Sequence, residues 1–233
     1  MRIWLHDASG NDPGWNAWCL DLIGLSTWAP TKAEVMSRLP IKVTEYCDWC
    51  KRHRIPTDGA ANGIQVVEEV VGNEVLFSPD TCQCENTELD RTVELLSASR
   101  SDLISTVSSL PEGALDWDPP YCSFVPWASW RSIKQILAHI ANTETHYYLP
   151  NIGCKPELAP AAPGDDWESY LPEQRRHTVR FLSELHGEAN RARVRREAED
   201  WSVRKVLRRL VRHELLHWKS ISRIGREYTS HHS

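Results

Sequence analysis

Trp201-Ser202-Val203-Arg204-Lys205-Val206-Leu207-Arg208-Arg209-Leu210-Val211-Arg212-His213-Glu214-Leu215-Leu216-His217 decides the class of the larger part of this chain. Val206, Leu210, His213, His217, Ile221 and Ile224 follow one another at spacings of 4, 3, 4, 4 and 3, the period of one helix face. The stripe predicts a helix from Ser202 to about Arg226 with two imidazoles on the side that turns to the core. Residues four apart on a helix stand about 5–6 Å from each other, close enough to converge on one metal ion.

The same helical period runs back to Glu85. Leu89, Val93, Leu96, Leu103, Val107 and Leu110 predict a first long helix closed by Pro111-Glu112-Gly113. A Trp- and Pro-rich loop, Asp116 to Trp130, precedes a second helix beginning near Ser132, and a third is expected from about Pro172 to Glu188. Four long helices with intervening loops read as a bundle. On the second helix Ser132, Ile136, His139, Thr143 and His146 run at spacings of 4, 3, 4 and 3, which places His139 near the buried face and His146 one repeat further as a reserve ligand. His177 and His186 on the third helix are expected to be partly exposed.

Two segments resemble each other at an offset of 70 residues: Ser132-Ile-Lys-Gln-Ile-Leu137 aligns with Ser202-Val-Arg-Lys-Val-Leu207, and Glu144 with Glu214. Each serine can cap its helix by accepting from an otherwise unpaired backbone N–H. The bundle therefore reads as two helix pairs on one plan. Three inward histidines, His139, His213 and His217, then form a candidate metal site with an open coordination position, the form of a catalytic rather than a structural site.

Trp130-Arg-Ser-Ile-Lys-Gln-Ile-Leu-Ala-His139-Ile-Ala-Asn-Thr-Glu144 and Trp201-Ser-Val-Arg-Lys-Val-Leu, ending in His213-Glu-Leu-Leu-His217, resemble the two signature helices of the DinB-like superfamily. The resemblance covers about residues 86–228. It implies a four-helix bundle, often dimeric, with a divalent metal on three histidines, here His139, His213 and His217. It also implies a possible activity class: relatives include transferases and isomerases that use a low-molecular-weight thiol. The ion expected is zinc or nickel, although three imidazoles also suit copper or iron. The partners expected are a small thiol and an electrophile, with a homodimer as the assembly.

Residues 1–80 have another character, with short β-type segments at Arg2–His6, Trp15–Leu22, Gln65–Val71 and Glu74–Phe77. Val70-Val71-Gly72-Asn73-Glu74-Val75 predicts a hairpin with a Gly-Asn turn. Between them Met36, Leu39, Val43, Tyr46 and Cys50 mark a helix from about Thr31 to His53. Trp18-Cys-Leu-Asp-Leu-Ile-Gly-Leu-Ser-Thr-Trp-Ala-Pro-Thr31-Lys-Ala-Glu34, followed by that helix and Ile55-Pro56, is similar to the HicB-like fold. Ala29-Pro30 stands where that family has a Gly-acidic turn, and no helix-turn-helix follows, which argues against a nucleic-acid role. The fold class expected is thus an α+β unit (1–80) followed by an all-α bundle (86–230), the second able to fold and bind metal alone.

A chain of 233 residues that is 41% hydrophobic and 25% charged has the composition of a globular protein and not of a disordered one. Its net charge of −5 argues against general nucleic-acid coating, and the excess lies entirely in residues 1–85, with 7 basic and 12 acidic side chains against 20 and 20 in residues 86–233. No apolar run reaches the roughly 18 residues that span a bilayer, and Met1-Arg2-Ile3-Trp4-Leu5-His6 lacks a signal peptide's apolar core, so a soluble, cytoplasmic protein without membrane partners is expected. Seven cysteines read as reduced thiols or ligands. Cys47-Asp-Trp-Cys50 and Cys82-Gln-Cys84 could make a four-thiolate zinc site, but Cys50 lies on a core stripe and the second pair has an atypical gap; buried thiols are the default. Arg191, Arg193, Arg195, Arg196, Arg204, Lys205, Arg208, Arg209 and Arg212 read as a solvated face interleaved with Glu197, Glu199 and Asp200 more readily than as an anion site. Trp117, Trp127 and Trp130 are expected to pack the bundle mouth. Against the enzyme stands a metal-stabilised scaffold whose first unit recruits a partner.

Overall fold

The computed structural model describes residues 1–8, 13–57, 63–120, 128–185, 193–196 and 199–232. Trp127, His186, Arg191, Glu197 and the expected end of the third helix near Glu188 lie outside the described residues.

The first unit is a mixed four-stranded sheet of β1 (Arg2–Ala8), β2 (Gly14–Trp18), β3 (Ser26–Ala29) and β4 (Gln65–Gly72), in the order β3-β2-β1-β4. The first three strands pair antiparallel, whereas β4 pairs parallel to β1. A parallel partner needs a crossover of a dozen or more residues, and α1 (Lys32–Arg52) supplies it. Thr31 caps α1, its side chain accepting from the Glu34 N–H at 3.2 Å while the Glu34 carboxylate accepts from the Thr31 N–H at 3.2 Å. Alternation sorts the strands: Ile3, Leu5, Ala17 and Ala29 share a core with Val35, Leu39 and Tyr46 of α1, and Trp4 and Trp18 cluster with Phe77.

The predicted hairpin at residues 70–75 does not form. β4 ends at Gly72, Glu74 takes φ 47°, and the chain leaves the sheet. The Glu74 carboxylate meets Arg209 at 2.5 Å and Lys205 at 3.2 Å, and Phe77 is 1% exposed. Burial of the phenyl ring and two long-range ion pairs outweigh strand pairing that the Gly-Asn turn alone would favour.

The helical part comprises α2 (Asn86–Ser108), the short α3 (Glu112–Asp116), α4 (Ile133–Asn142), α5 (Trp167–Glu184) and α6 (Val203–His232), with a two-stranded ribbon of β5 (Arg193–Arg196) and β6 (Glu199–Ser202) before α6. Pro111-Glu112-Gly113 follows the end of α2 as expected but also opens α3, with Pro111 at its N-cap. α5 begins five residues before Pro172, because Asp166 accepts from the Glu168 N–H at 3.1 Å and starts the helix there. The strands of the ribbon carry no apolar alternation by which the sequence could announce them; Trp201, fully buried, anchors its end. No helix of the described residues is long and apolar enough to cross a membrane.

The two helix pairs meet as the repeat implies. Ser132 and Ser202 each accept from the backbone N–H three residues on, at 3.4 and 3.2 Å. Glu144 and Glu214, 3% and 1% exposed, converge between two buried arginines from α2 and α5. Arg100 donates to Glu214 at 2.5 Å and to Glu144 at 2.9 Å, and Arg175 donates to Glu144 at 3.0 Å and also to Glu214. Two buried hydroxyls add to the set, Ser99 donating to Glu214 at 3.1 Å and Thr178 to Glu144. Two cations and two anions leave the quartet neutral, which is what permits its burial.

Fold type changes between Thr81 and Asn86, but the core does not stop there. One cluster contains Ile3, Leu5, Leu22, Val35 and Leu39 together with Leu89, Leu96, Val206, Leu210 and Val211. The tip of the Cys19–Leu25 turn sits so tightly on α6 that a Cβ at Gly24, which has φ 88°, would lie 2.3 Å from Val211. A fragment of residues 86–233 is therefore expected to expose the faces of α2 and α6 that the first unit covers. It should be aggregation-prone and unfold at lower urea than the full chain; a soluble fragment with an unchanged midpoint would show that the covered faces contribute nothing.

Candidate metal centre

α4 carries His139 in its last turn, and α6 carries His213 and His217 one turn apart. Both segments are helical for the reasons given above, and the α4–α6 packing brings their histidine faces together. The ligand atoms of His139, His213 and His217 all lie within 4.8 Å of one another, and this is the one group of three or more such residues among the described residues. Nε2 of His213 stands 3.0 Å from Nε2 of His139. Two imidazoles on one ion at 2.0–2.1 Å would hold their nitrogens about 2.9–3.4 Å apart. The same separation suits an N–H···N hydrogen bond between neutral rings.

The rings are held from outside. Thr143 Oγ1 lies 3.3 Å from Nδ1 of His139, which leaves Nε2 to face the cluster. The Trp130 indole stacks on His139 at 3.6 Å and 16° and stands edge-on to His217 at 5.9 Å, while Tyr148 closes on His213 at 5.6 Å. α4 passes directly into a π-helical turn from Thr143 to Tyr148, and this wider turn carries Glu144 to the arginine quartet and Tyr148 to the histidines.

Burial sets the protonation of all three imidazoles. It lowers His139 to about 4, and lowers His217 to about 3 with help from His139 and Arg212. His213 is driven well below its ordinary value by burial first, then by His217, His139, Arg212 and Arg209. All three rings are neutral near pH 7, the state a metal ligand requires. An all-imidazole donor set with its lone pairs free of protons fits a divalent transition metal.

The other candidates sit elsewhere. His146 is tied locally, with Nδ1 2.8 Å from Thr145 Oγ1 and Nε2 3.2 Å from the Leu158 carbonyl, and it is not in the cluster. Cys47, Cys50, Cys82 and Cys84 form no ligand group among the described residues. His177, expected to be partly exposed, is 7% exposed, because α5 presents it to the loop around Cys154. Trp117 lies against Tyr228 and His231 near the end of α6, at 5.7 and 5.8 Å.

The basic cluster on α6 is not a solvated face. Lys205 and Arg208 are 0% and 4% exposed, and they tie α6 to the first unit. Arg208 pairs with Asp80 at 2.8 Å, Arg204 with Glu88 at 2.6 Å, and Arg212 donates to Ser26 at 2.6 Å and Asn16 at 3.1 Å. Three guanidinium groups, of Arg208, Arg209 and Arg212, lie 4.4, 5.2 and 4.9 Å from the Trp18 ring centre. Acceptors and an aromatic face from the sheet unit make the burial of these cations possible, which counting charges along one helix could not reveal.

Residues 95–221 match the DinB superfamily, a span that opens in α2, ends in α6 and contains all three histidines and both glutamates of the quartet. The chain belongs to the DinB superfamily. Membership and the three-histidine cluster together fit a divalent-metal-binding DinB protein. The DinB match does not reach the sheet unit. No match to a curated protein or to a solved structure was found.

Proposed function

We propose that this DinB-superfamily chain is a metal-dependent enzyme that moves a low-molecular-weight thiol onto an electrophile, with His139, His213 and His217 as the ligands of one zinc or nickel ion. The observation that carries the reading is the donor set: three neutral imidazoles and, among the described residues, no further histidine, cysteine or carboxylate in the group. A divalent ion with an open position lowers the pKa of a bound thiol and so supplies a thiolate. The chain's own part is orientation and shelter. Thr143 fixes which nitrogen of His139 faces inward, and Trp130 and Tyr148 screen the imidazoles from water. The sheet unit, similar in sequence to the HicB-like fold, buttresses α6 from the other side through Arg208 and Arg212.

Calorimetric titration of a small thiol into metal-loaded protein, in buffers of different ionisation enthalpy, tests this. Binding that requires the metal and releases about one proton per thiol is expected, because the ion prefers the thiolate. Absence of metal-dependent binding for every biological thiol tried would remove thiol transfer and leave a hydrolytic or structural metal role.

A further inference from the structure

Away from the three histidines, the loop after the Leu149–Ile152 turn carries a thiol in a setting that the other buried cysteines lack. Gly153 takes φ 93°, the left-handed conformation that glycine tolerates, and directs Cys154 inward, where it is 5% exposed. Its Sγ lies 3.5 Å from Nε2 of His177 on α5. One turn further along α5, Arg180 donates to Nδ1 of that ring at 3.2 Å, and Arg180 is in turn paired with Glu157. Nδ1 also lies 3.6 Å from the Glu157 carboxylate, and Nε2 is the ring nitrogen aimed at the sulphur. Cys154, His177, Arg180, Glu157, Lys155 and Phe181 line a cavity of about 130 Å³ that opens to solvent, room for a molecule of a few heavy atoms.

We propose that Cys154 is a peroxide-reactive thiol, with the His177 imidazole at Nε2 and the Arg180 charge stabilising negative charge on sulphur. Burial and Glu157 push the thiol up to about 11 while Arg180 pulls it down, so the resting sulphur is protonated. On reaction the thiol gives its proton to solvent and sulphur attacks one peroxide oxygen; the S–O bond forms and the O–O bond breaks. The departing hydroxide takes up a proton to become water, so sulphur is oxidised by two electrons to the sulfenic acid and the peroxide is reduced. The small cavity selects for hydrogen peroxide over bulky disulfides.

Cys19, Cys50 and Cys84 provide the comparison inside the same chain, since they are 2%, 1% and 1% exposed and burial pushes them to about 11, 11 and 12. The native protein is treated with hydrogen peroxide for increasing times, quenched with catalase, unfolded and alkylated, and the remaining free thiol is quantified at each cysteine by mass spectrometry. Cys154 is expected to be lost at least about tenfold faster than those three, with the excess largely abolished in His177→Gln and reduced several-fold in Arg180→Gln. Arg180 is exposed, so its variant folds even if His177→Gln does not. A Cys154 rate within the range of the other buried thiols overturns the proposal, and so does a faster rate that Arg180→Gln leaves unchanged, which would reduce the effect to access through the cavity.

Discussion

Replacing Glu214 by leucine is expected to destabilise the protein by about 3–5 kcal/mol, a large part of the 5–15 kcal/mol that holds a typical domain together. Arg100 and Arg175 would then share the single carboxylate of Glu144 in a region where all four side chains are nearly inaccessible. An uncompensated buried guanidinium retains its desolvation penalty after its partner has gone. The remedy is neutralisation and not repolarisation: Arg175→Met with Glu214→Leu leaves the Arg100–Glu144 pair intact and should recover most of the loss, whereas either single change should not. Urea midpoints of the wild type, both single variants and the double variant form a cycle that reads the coupling. Additive single and double changes would show that the quartet does not act as a unit. Ser99→Ala, which removes one hydrogen bond to Glu214 and no charge, should cost only about 1–2 kcal/mol.

The quartet also shows how far the sequence could be read. Glu144 and Glu214 were visible as the tail of a repeat, because helix entry, apolar stripe and glutamate recur at one offset. The repeat does not name their partners, although the sequence holds a signal: Arg100 stands four residues after Leu96 and three before Leu103, so it occupies the buried stripe of α2. Charge at a stripe position implies a partner across the core, but nothing in one helix says which helix supplies it. His139, His213 and His217 were legible for the same reason in reverse, since imidazoles on two apolar stripes of a repeated plan had one place to meet. The stacking of Trp130 on His139 depends on the path of a loop, and a loop has no periodicity to read. The arginines of α6 are buried against the expectation that a run of charge is solvated, because their acceptors Asn16, Ser26, Glu74 and Asp80 lie more than a hundred residues away in sequence. Local pattern thus fixed helix faces, while pairings across the 80–86 junction were set by long-range contacts that pattern does not encode.

His217→Ala and His213→Ala are each expected to lower affinity for a divalent metal by about 10²–10³-fold, a loss of about 3–4 kcal/mol against the about 10–16 kcal/mol typical of structural zinc. Helix content should change little, since Val206, Leu210, Ile221 and Ile224 keep the buried stripe of α6. His146→Ala, whose ring is committed to Thr145 and Leu158, should retain wild-type metal content. Elemental analysis after dialysis reads all three, and wild-type stoichiometry in both α6 variants would sink the ligand assignment. The pH dependence follows from burial. Exposed imidazoles, with a pKa of about 6.5, would each weaken metal binding by about 25-fold between pH 7 and pH 5. His139 and His217, lowered to about 4 and about 3, stay unprotonated over that range, so affinity should hold nearly constant and fall only in stronger acid. The metal-free protein carries the opposite signature. Its unfolded chain takes up protons on these two histidines near pH 6.5 while the folded chain resists until about pH 4 and 3, so stability is full above 6.5 and is lost as pH falls below it. The loss is about 2 kcal/mol for each of the two between pH 7 and pH 5. Urea unfolding of chelator-treated protein at both pH values measures it, and a His139→Gln/His217→Gln double variant should flatten the difference by about that sum; an equal pH dependence in the two proteins would show that these rings are not the groups that resist protonation.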